Sequence, residues 1–437
     1  MGIKRALSTD FFAAKLLFIV STFVLLSLQI PASQISGDTV NLVNLEEYIS
    51  FAEKNNALLK SSFEQWTIAK EMLPQARALP DPQLSYGYAT KATPTRKMAE
   101  VMQMFPWFGT IDARVQQAGA MSQSAGQQFQ MQKLEIVYQL KAAFYDYCYL
   151  AESVRIAKEN VELAKHFEQV VRSRYEVSQA PHPDIIRSQI ELAKFEDDVL
   201  TVERMRTPIV ARLNSLLNRP STATLPWPQA GERKELSMDS NSILEFIVRN
   251  NPQIKMFDYE VGAAKAAQTL AQKRFYPDIG LGAAFDEGMG ENGSDRYMAK
   301  VSINIPLWTK SYSALKRQAQ AQTRRASQQK IQVINDLTAK ARQVLYEYDD
   351  SSRKIRLYGQ TIIPKNKELL AAAETAYLAN TVDFLTLIDT QRLLLENQLF
   401  YQRSLFDRDT KIAELEMLAA AELKVSAMAD KKNSVQQ

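Results

Sequence analysis

The chain has little of what most enzymes use. One cysteine, Cys148, excludes a disulfide framework and any multi-cysteine metal site. Two histidines, His166 and His182, leave scant material for imidazole catalysis or zinc ligation. Glycine, 14 in 437 residues, is too sparse to favour glycine-loop nucleotide folds and points to long helices. The nucleophile elbow, the phosphate loop, His-Glu-x-x-His and Cys-x-x-Cys are all missing, so neither an enzyme nor a cofactor is expected. Neither sign of charge dominates: 53 Lys+Arg against 49 Asp+Glu leave +4, too small an excess to suggest nucleic acid as a partner. After the first 36 residues no apolar run approaches the length of a spanning helix.

What is present begins with a targeting signal. Lys4, Arg5 and Lys15 precede Leu16 to Leu28, where 10 of 13 residues are apolar. That core suits a secretory signal and falls short of the ~20 residues that cross a bilayer as a helix. Pro31, Ala32, Ser33 and Ser36 supply small residues for cleavage, and no cysteine follows for a lipid anchor. A signal peptide over 1–36 and an exported mature chain are expected.

The remainder repeats itself. Phe51 and Asn55-Asn56 match Phe246 and Asn250-Asn251 at an offset of 195, as do Pro82 with Pro277 and Gly87 with Gly282. Phe105-Pro106-Trp107 answers Ile305-Pro306-Leu307 at offset 200, and Tyr175 and Gln189 pair with Tyr377 and Gln391 at offset 202. Anchors that keep their order and drift only between elements indicate duplication. The repeats run over 41–220 and 241–420, joined by a linker over 221–240 and followed by a disordered tail over 421–437.

Each repeat reads as an amphipathic helix (44–78 and 241–274), two short runs of period 2, and a long helical hairpin. In the second copy Ile279, Leu281, Ala283 and Phe285 alternate with small residues. Tyr297, Ala299, Val301, Ile303 and Ile305 then alternate with Met298, Lys300, Ser302 and Asn304. In the first copy Leu84, Tyr86 and Tyr88 share a face, and Val101 and Phe105 belong to the return strand. Runs of about 10 residues cross a bilayer as tilted strands. Past Trp107 no proline interrupts the chain until Pro181, and the spacing predicts helices too long for one globular core. Four strands cannot close a barrel, and open edges in lipid cost several kcal/mol for each unsatisfied backbone group. Three copies would supply twelve strands. The fold class is therefore mainly α with a small β part: a duplicated unit of helical hairpins plus two β-hairpins that contribute to a shared barrel.

Together with the repeat, the Asn-Asn pairs, Leu79-Pro-Asp-Pro-Gln-Leu84 and Gln103-Met-Phe-Pro-Trp-Phe-Gly109 resemble the TolC-like outer-membrane factor family. Tyr377 to Gln391, with Leu393, Leu394 and Glu396, resembles that family's second hairpin tip. The Pro-Asp-Pro and Phe-Pro-Trp-Phe-Gly versions are similar to its heavy-metal efflux branch. The resemblance implies a homotrimer with a 12-stranded barrel in outer-membrane lipid and an α-barrel in the periplasm. A periplasmic adaptor and an inner-membrane pump would be its partners, and it would conduct substrate passively. It further implies aspartates around a closable periplasmic aperture: Asp184 and Asp389, counted nine and twelve residues from the tip tyrosines, with Asp383 as a nearby substitute. Thr386 and Arg187 hold the corresponding places in the other copies, which leaves the ring incomplete. Tyr175, Tyr377 and Asn380 would pack or dock at the tips, with Asn380 in a left-handed turn. Lys300, Ser302 and Asn304 would face the barrel lumen.

Plainer roles compete. Asp184 also suits a helix cap after Pro183, and Asp389 a solvated or ion-paired face. Met98, Met102 and Met104 admit a copper reading through soft thioethers, although packing in a strand is the commoner use. His166, alone on its helix, reads as a surface or packing residue, His182 as a turn residue and Cys148 as a buried small apolar group. As alternatives for the whole chain there remain an outer-membrane conduit of a type I secretion system and a periplasmic coiled-coil scaffold or adaptor.

Overall fold

The computed structural model describes residues 42–88, 97–231, 233–288 and 294–427. The expected signal peptide lies outside the described residues, as does the chain beyond 427.

Each repeat opens on two helices rather than one. In the first copy these are α1 (Leu45–Asn55) and α2 (Ala57–Arg77). The second copy's opening pair, α6 (Ser240–Asn250) and α7 (Pro252–Lys273), is broken at the same place. The break falls on the second asparagine of each Asn-Asn pair, where ψ swings to 124° at Asn56 and 125° at Asn251. The Asn56 Oδ1 accepts from the Leu59 N–H at 3.0 Å and the Asn251 Oδ1 from the Gln253 N–H at 2.8 Å. Each Nδ2 donates to a carbonyl at the end of that repeat's return helix, Leu216 at 2.7 Å or Leu418 at 2.8 Å. One buried side chain thus caps a new helix and satisfies an orphan carbonyl of another.

Four strands form one antiparallel sheet: β1 (Gln83–Tyr88) and β2 (Lys97–Phe105) from the first copy, β4 (Ile279–Asp286) and β5 (Arg296–Ile303) from the second. Their order is β1-β2-β4-β5, so the two hairpins lie side by side through the β2–β4 pair. Gly109, at φ 76°, makes the left-handed turn from β2 into the first long helix.

That helix, α3 (Thr110–Glu176), runs 67 residues, about 100 Å at 1.5 Å per residue. It returns as α4 (His182–Arg204) and α5 (Arg206–Leu216), interrupted at Met205 because Pro208 has no N–H for the Arg204 carbonyl. The second copy rises as α8 (Thr309–Leu357), passes a π-turn over Tyr358–Ile362 and continues as α9 (Ile363–Leu378). The widened turn sits where Pro364 cannot donate. The return, α10 (Phe384–Ala419), is unbroken. Left-handed residues fall at equivalent places, Ser178 with Asn380 at the tips and Asn218 with Ala420 at the ends of the return helices.

The linker and the tail both carry structure. β3 (Lys234–Leu236) pairs antiparallel with β6 (Val425–Ala427), so the chain expected to be disordered from 421 is ordered through Ala427. Pairing with a strand from the linker satisfies backbone groups that composition alone left unassigned. The buried Arg408 of α10 reaches Glu235 on β3 at 3.4 Å. In the first repeat Tyr48, Phe144, Tyr147 and Leu213 fill the core nearby; in the second, Ile243, Ile247, Val344 and Leu415 do. Cys148 lies in the first of these cores, and burial pushes its thiol up to about 12. Among the described residues no helix is long and apolar enough to cross a membrane.

Candidate channel wall and helical tips

The registers sort the sheet into two faces. Leu84, Val101, Ala283 and Ala299 align in one row, and Tyr86, Ala99, Phe285 and Tyr297 in the next. Leu84, Tyr86, Tyr88, Val101, Leu281, Tyr297, Val301 and Ile303 on this face are exposed. The opposite face carries Ser85, Glu100, Lys300 and Ser302, with Asp286 and Arg296 at one end. Lys300 pairs with Glu100 at 2.7 Å and Arg296 with Asp286 at 2.8 Å. The Lys300 pair reaches across β4, whose residues on this face, Gly280, Gly282 and Ala284, are small enough to leave a trough. A lipid-facing apolar side and a water-facing charged side are what a barrel wall requires. Phe108 and Trp308, each 77% exposed, stand where the strands give way to helices, and Trp107 stacks on Tyr276 beside them at 5.3 Å. Aromatic residues at that level mark a membrane–water boundary. Asn304 lies one residue past β5, where its side chain accepts the Asp278 N–H and closes the hairpin base.

At the far end of the helices the two tips meet. Phe167 and Val171 of α3 pack with Leu370, Ala373 and Tyr377 of α9 and Phe384 and Leu387 of α10. Arg174, in the last turn of α3 and 7% exposed, donates to the Tyr377 carbonyl at 2.8 Å and the Leu378 carbonyl at 2.6 Å. It also bonds the Asn380 Oδ1 and lies 5.0 Å from the Tyr377 ring. A guanidinium on the orphan carbonyls at a helix C-terminus complements both their lone pairs and the helix dipole. Sequence reading missed Arg174, whose only signal is a cation one turn before a tip; Ala376 holds its place in the second copy.

Asp184 belongs to this group but does not cap. The residue preceding α4 is Pro181, and Asp184 sits buried in the first turn with no capping hydrogen bond. Pro183, at the second helical position, moves the helix start back and leaves Asp184 inside. Burial pushes its carboxyl up from the ordinary 3.8; Arg187 opposes the shift and Asp383 adds to it. Asp383 does cap, accepting from the Thr386 N–H at 2.9 Å and its hydroxyl at 2.6 Å, and those bonds hold its carboxyl below the ordinary value. Burial likewise raises the Tyr377 hydroxyl, with Asp184 adding and Arg174 opposing. The structure therefore gathers Asp184, Asp383, Tyr377 and Asn380. Tyr175 points away, with its ring 5.5 Å from that of His182. Asp389 is apart on an exposed face, paired with Arg392 at 3.4 Å. His166 lies at the surface, where its ring meets Glu374 of α9 at 3.0 Å.

The sequence profile described as "Outer membrane efflux protein" matches residues 244–421. The matched stretch is the second repeat, from within α6 to just past the end of α10. The chain is also 21% identical over 371 residues to the cobalt-zinc-cadmium resistance protein CzcC of Cupriavidus metallidurans, covering 82% of this chain and 85% of that protein. Three solved structures share its fold. CusC superposes with a TM-score of 0.75 at 15% identity, covering 90% of this chain and 99% of CusC. VceC from Vibrio cholerae gives 0.73 at 15%, covering 87% and 97%. The open state of the MtrE channel of Neisseria gonorrhoeae gives 0.72 at 16%, covering 87% and 89%.

Proposed function

We infer that the protein is the outer-membrane channel of a tripartite efflux system and works as a homotrimer with a periplasmic adaptor and an inner-membrane pump. One observation carries this reading: a four-stranded sheet with one apolar face and one charged face, whose outer strands β1 and β5 each have a single neighbour among the described residues. Such edges are incompatible with lipid, and closing β5 of one copy on β1 of the next removes all of them at once. Three copies give twelve strands, an even number within the observed range for barrels. The likeness to CzcC supports a place in the heavy-metal branch.

The tip cluster of Arg174, Asp184, Asp383 and Tyr377 is the part of each copy that would hold the periplasmic aperture shut. Arg174 fastens the first tip to the second, and the two carboxylates favour cations over anions at the constriction. Conduction would be passive, with energy supplied by the pump. Outer-membrane fractions extracted in mild detergent should yield threefold particles that conduct ions across planar bilayers. Monomeric particles without conductance, or absence from the outer membrane, would sink this reading.

A further inference from the structure

The face of the sheet that carries Glu100 and Lys300 also carries methionine. Met98, Met102 and Met104 lie on β2 at alternate positions with Glu100, and Met298 lies on β5 in the row of Glu100 and Ala284. Four of the chain's 14 methionines thus stand on one face of a small sheet, the face opposite the lipid-exposed tyrosines and valines. Two of their sulfurs converge. A methyl group added to Gly280 would fall 2.7 Å from the Met104 Sδ and 3.2 Å from the Met102 Sδ, so both thioethers hang over the same glycine. The neighbouring charges are already engaged, Lys300 with Glu100 and Arg296 with Asp286. Among the described residues no group of three or more His, Cys, Asp or Glu could hold a metal ion.

We propose that the Met102–Met104 pair over Gly280 is a lumenal contact site for a soft monovalent cation, Cu(I) or Ag(I), with Met98 and Met298 extending the thioether surface. The proposal rests on the channel reading, because only in a barrel does this face line the conduit. Thioethers discriminate by softness: they are neutral, polarizable ligands that favour Cu(I) and hold harder divalent ions poorly. A neutral ligand also suits a passage, since a conduit must bind weakly enough to release. The small residues of β4 provide the space, and the unbranched methionine side chain can swing to share or hand over an ion. Threefold repetition would make a band of such ligands around the lumen.

The test uses the detergent-solubilised trimer carrying Cys148→Ala, which removes the one thiol that would compete for the probe. Silver nitrate is the probe, bound silver is measured after equilibrium dialysis, and X-ray absorption identifies the donor atoms. The parent should retain silver with sulfur neighbours. Met102→Leu/Met104→Leu, close in volume and apolar, should lose most of it, whereas Met121→Leu on α3 should not. Equal retention by the double variant would overturn the proposal. So would silver bound to the parent through nitrogen or oxygen only, an outcome that needs no variant to fold. If the parent conducts ions in bilayers but retains no silver, the site fails and the channel stands. If it does not conduct, the channel reading fails and takes the site with it.

Discussion

Arg174 shows how much one side chain can fasten. Its guanidinium spans the Tyr377 and Leu378 carbonyls and the Asn380 amide, all in the other repeat. Arg174→Ala should loosen the tips by about 2 kcal/mol, the scale of hydrogen bonds to a charged group. Faster amide exchange over 374–382 and a higher bilayer conductance would report the loss. Arg174→Lys should recover only part, because an ammonium cannot reproduce the planar fork. Asp184 predicts a pH effect of definite sign. A carboxyl whose folded value is raised binds its proton more tightly in the folded state, so stability declines as pH rises from 3.8 through that raised value. Asp383 acts in the opposite sense: its cap is lost as pH falls below 3.8 through the depressed value. Thermal melting of the trimer at a series of pH values from 3.8 upward should show the Asp184 contribution, and Asp184→Asn should flatten it. Distance from the tip tyrosines pointed to Asp184 and Asp389, with Asp383 as a nearby substitute; the structure sets Asp184 near Asp383 and leaves Asp389 on an exposed face, while the turn conformation of Asn380 was legible because asparagine tolerates positive φ. Arg174 was not legible, since nothing local distinguishes a buried clamp from one of many surface cations. Nor was the burial of Asp184, which depends on where Pro183 starts the helix.

At the scale of elements, period-2 alternation marked both strands of the second copy and their faces, because a strand's side chains alternate regardless of what surrounds it, whereas in the first copy it gave one face of β1 and only Val101 and Phe105 of β2. The opening helices were harder. Asn-Asn marked the repeat, yet the break at Asn56 and Asn251 depends on carbonyls at Leu216 and Leu418, more than 100 residues away. The β3–β6 pair was hidden for the same reason: three-residue strands have no periodicity to read, and their partners lie at opposite ends of the second repeat. The trough along β4 yields a graded prediction. A methyl at Gly282 would lie 2.6 Å from the Val101 carbonyl oxygen, which the β2–β4 ladder holds in place, whereas at Gly280 it would meet the movable end of Met104. Gly282→Ala should therefore abolish heat-modifiable folded trimers on gels, and Gly280→Ala should only diminish them. Equal yields from both would show that the ladder tolerates a side chain there.

For the whole molecule, the duplication was legible in anchors such as Phe51 with Phe246, but its asymmetries were not. One return helix breaks at Met205 while the other runs straight, one rising helix carries a π-turn, and one tip supplies the arginine that the other lacks. These differences give the two hairpins of each copy distinct surfaces, so a threefold assembly would present six tips of two kinds. The β2–β4 pair has a consequence in time as well as in space. Met98 to Phe105 pairs with residues 279–286, which emerge from synthesis and export some 180 positions later. Until then the first hairpin has one partner and a bare apolar face, and the loop that must close is long enough to make pairing slow. Escort through the periplasm would have to last until the second repeat arrives, and a chain cut between the repeats would reach the membrane with nothing to complete its sheet.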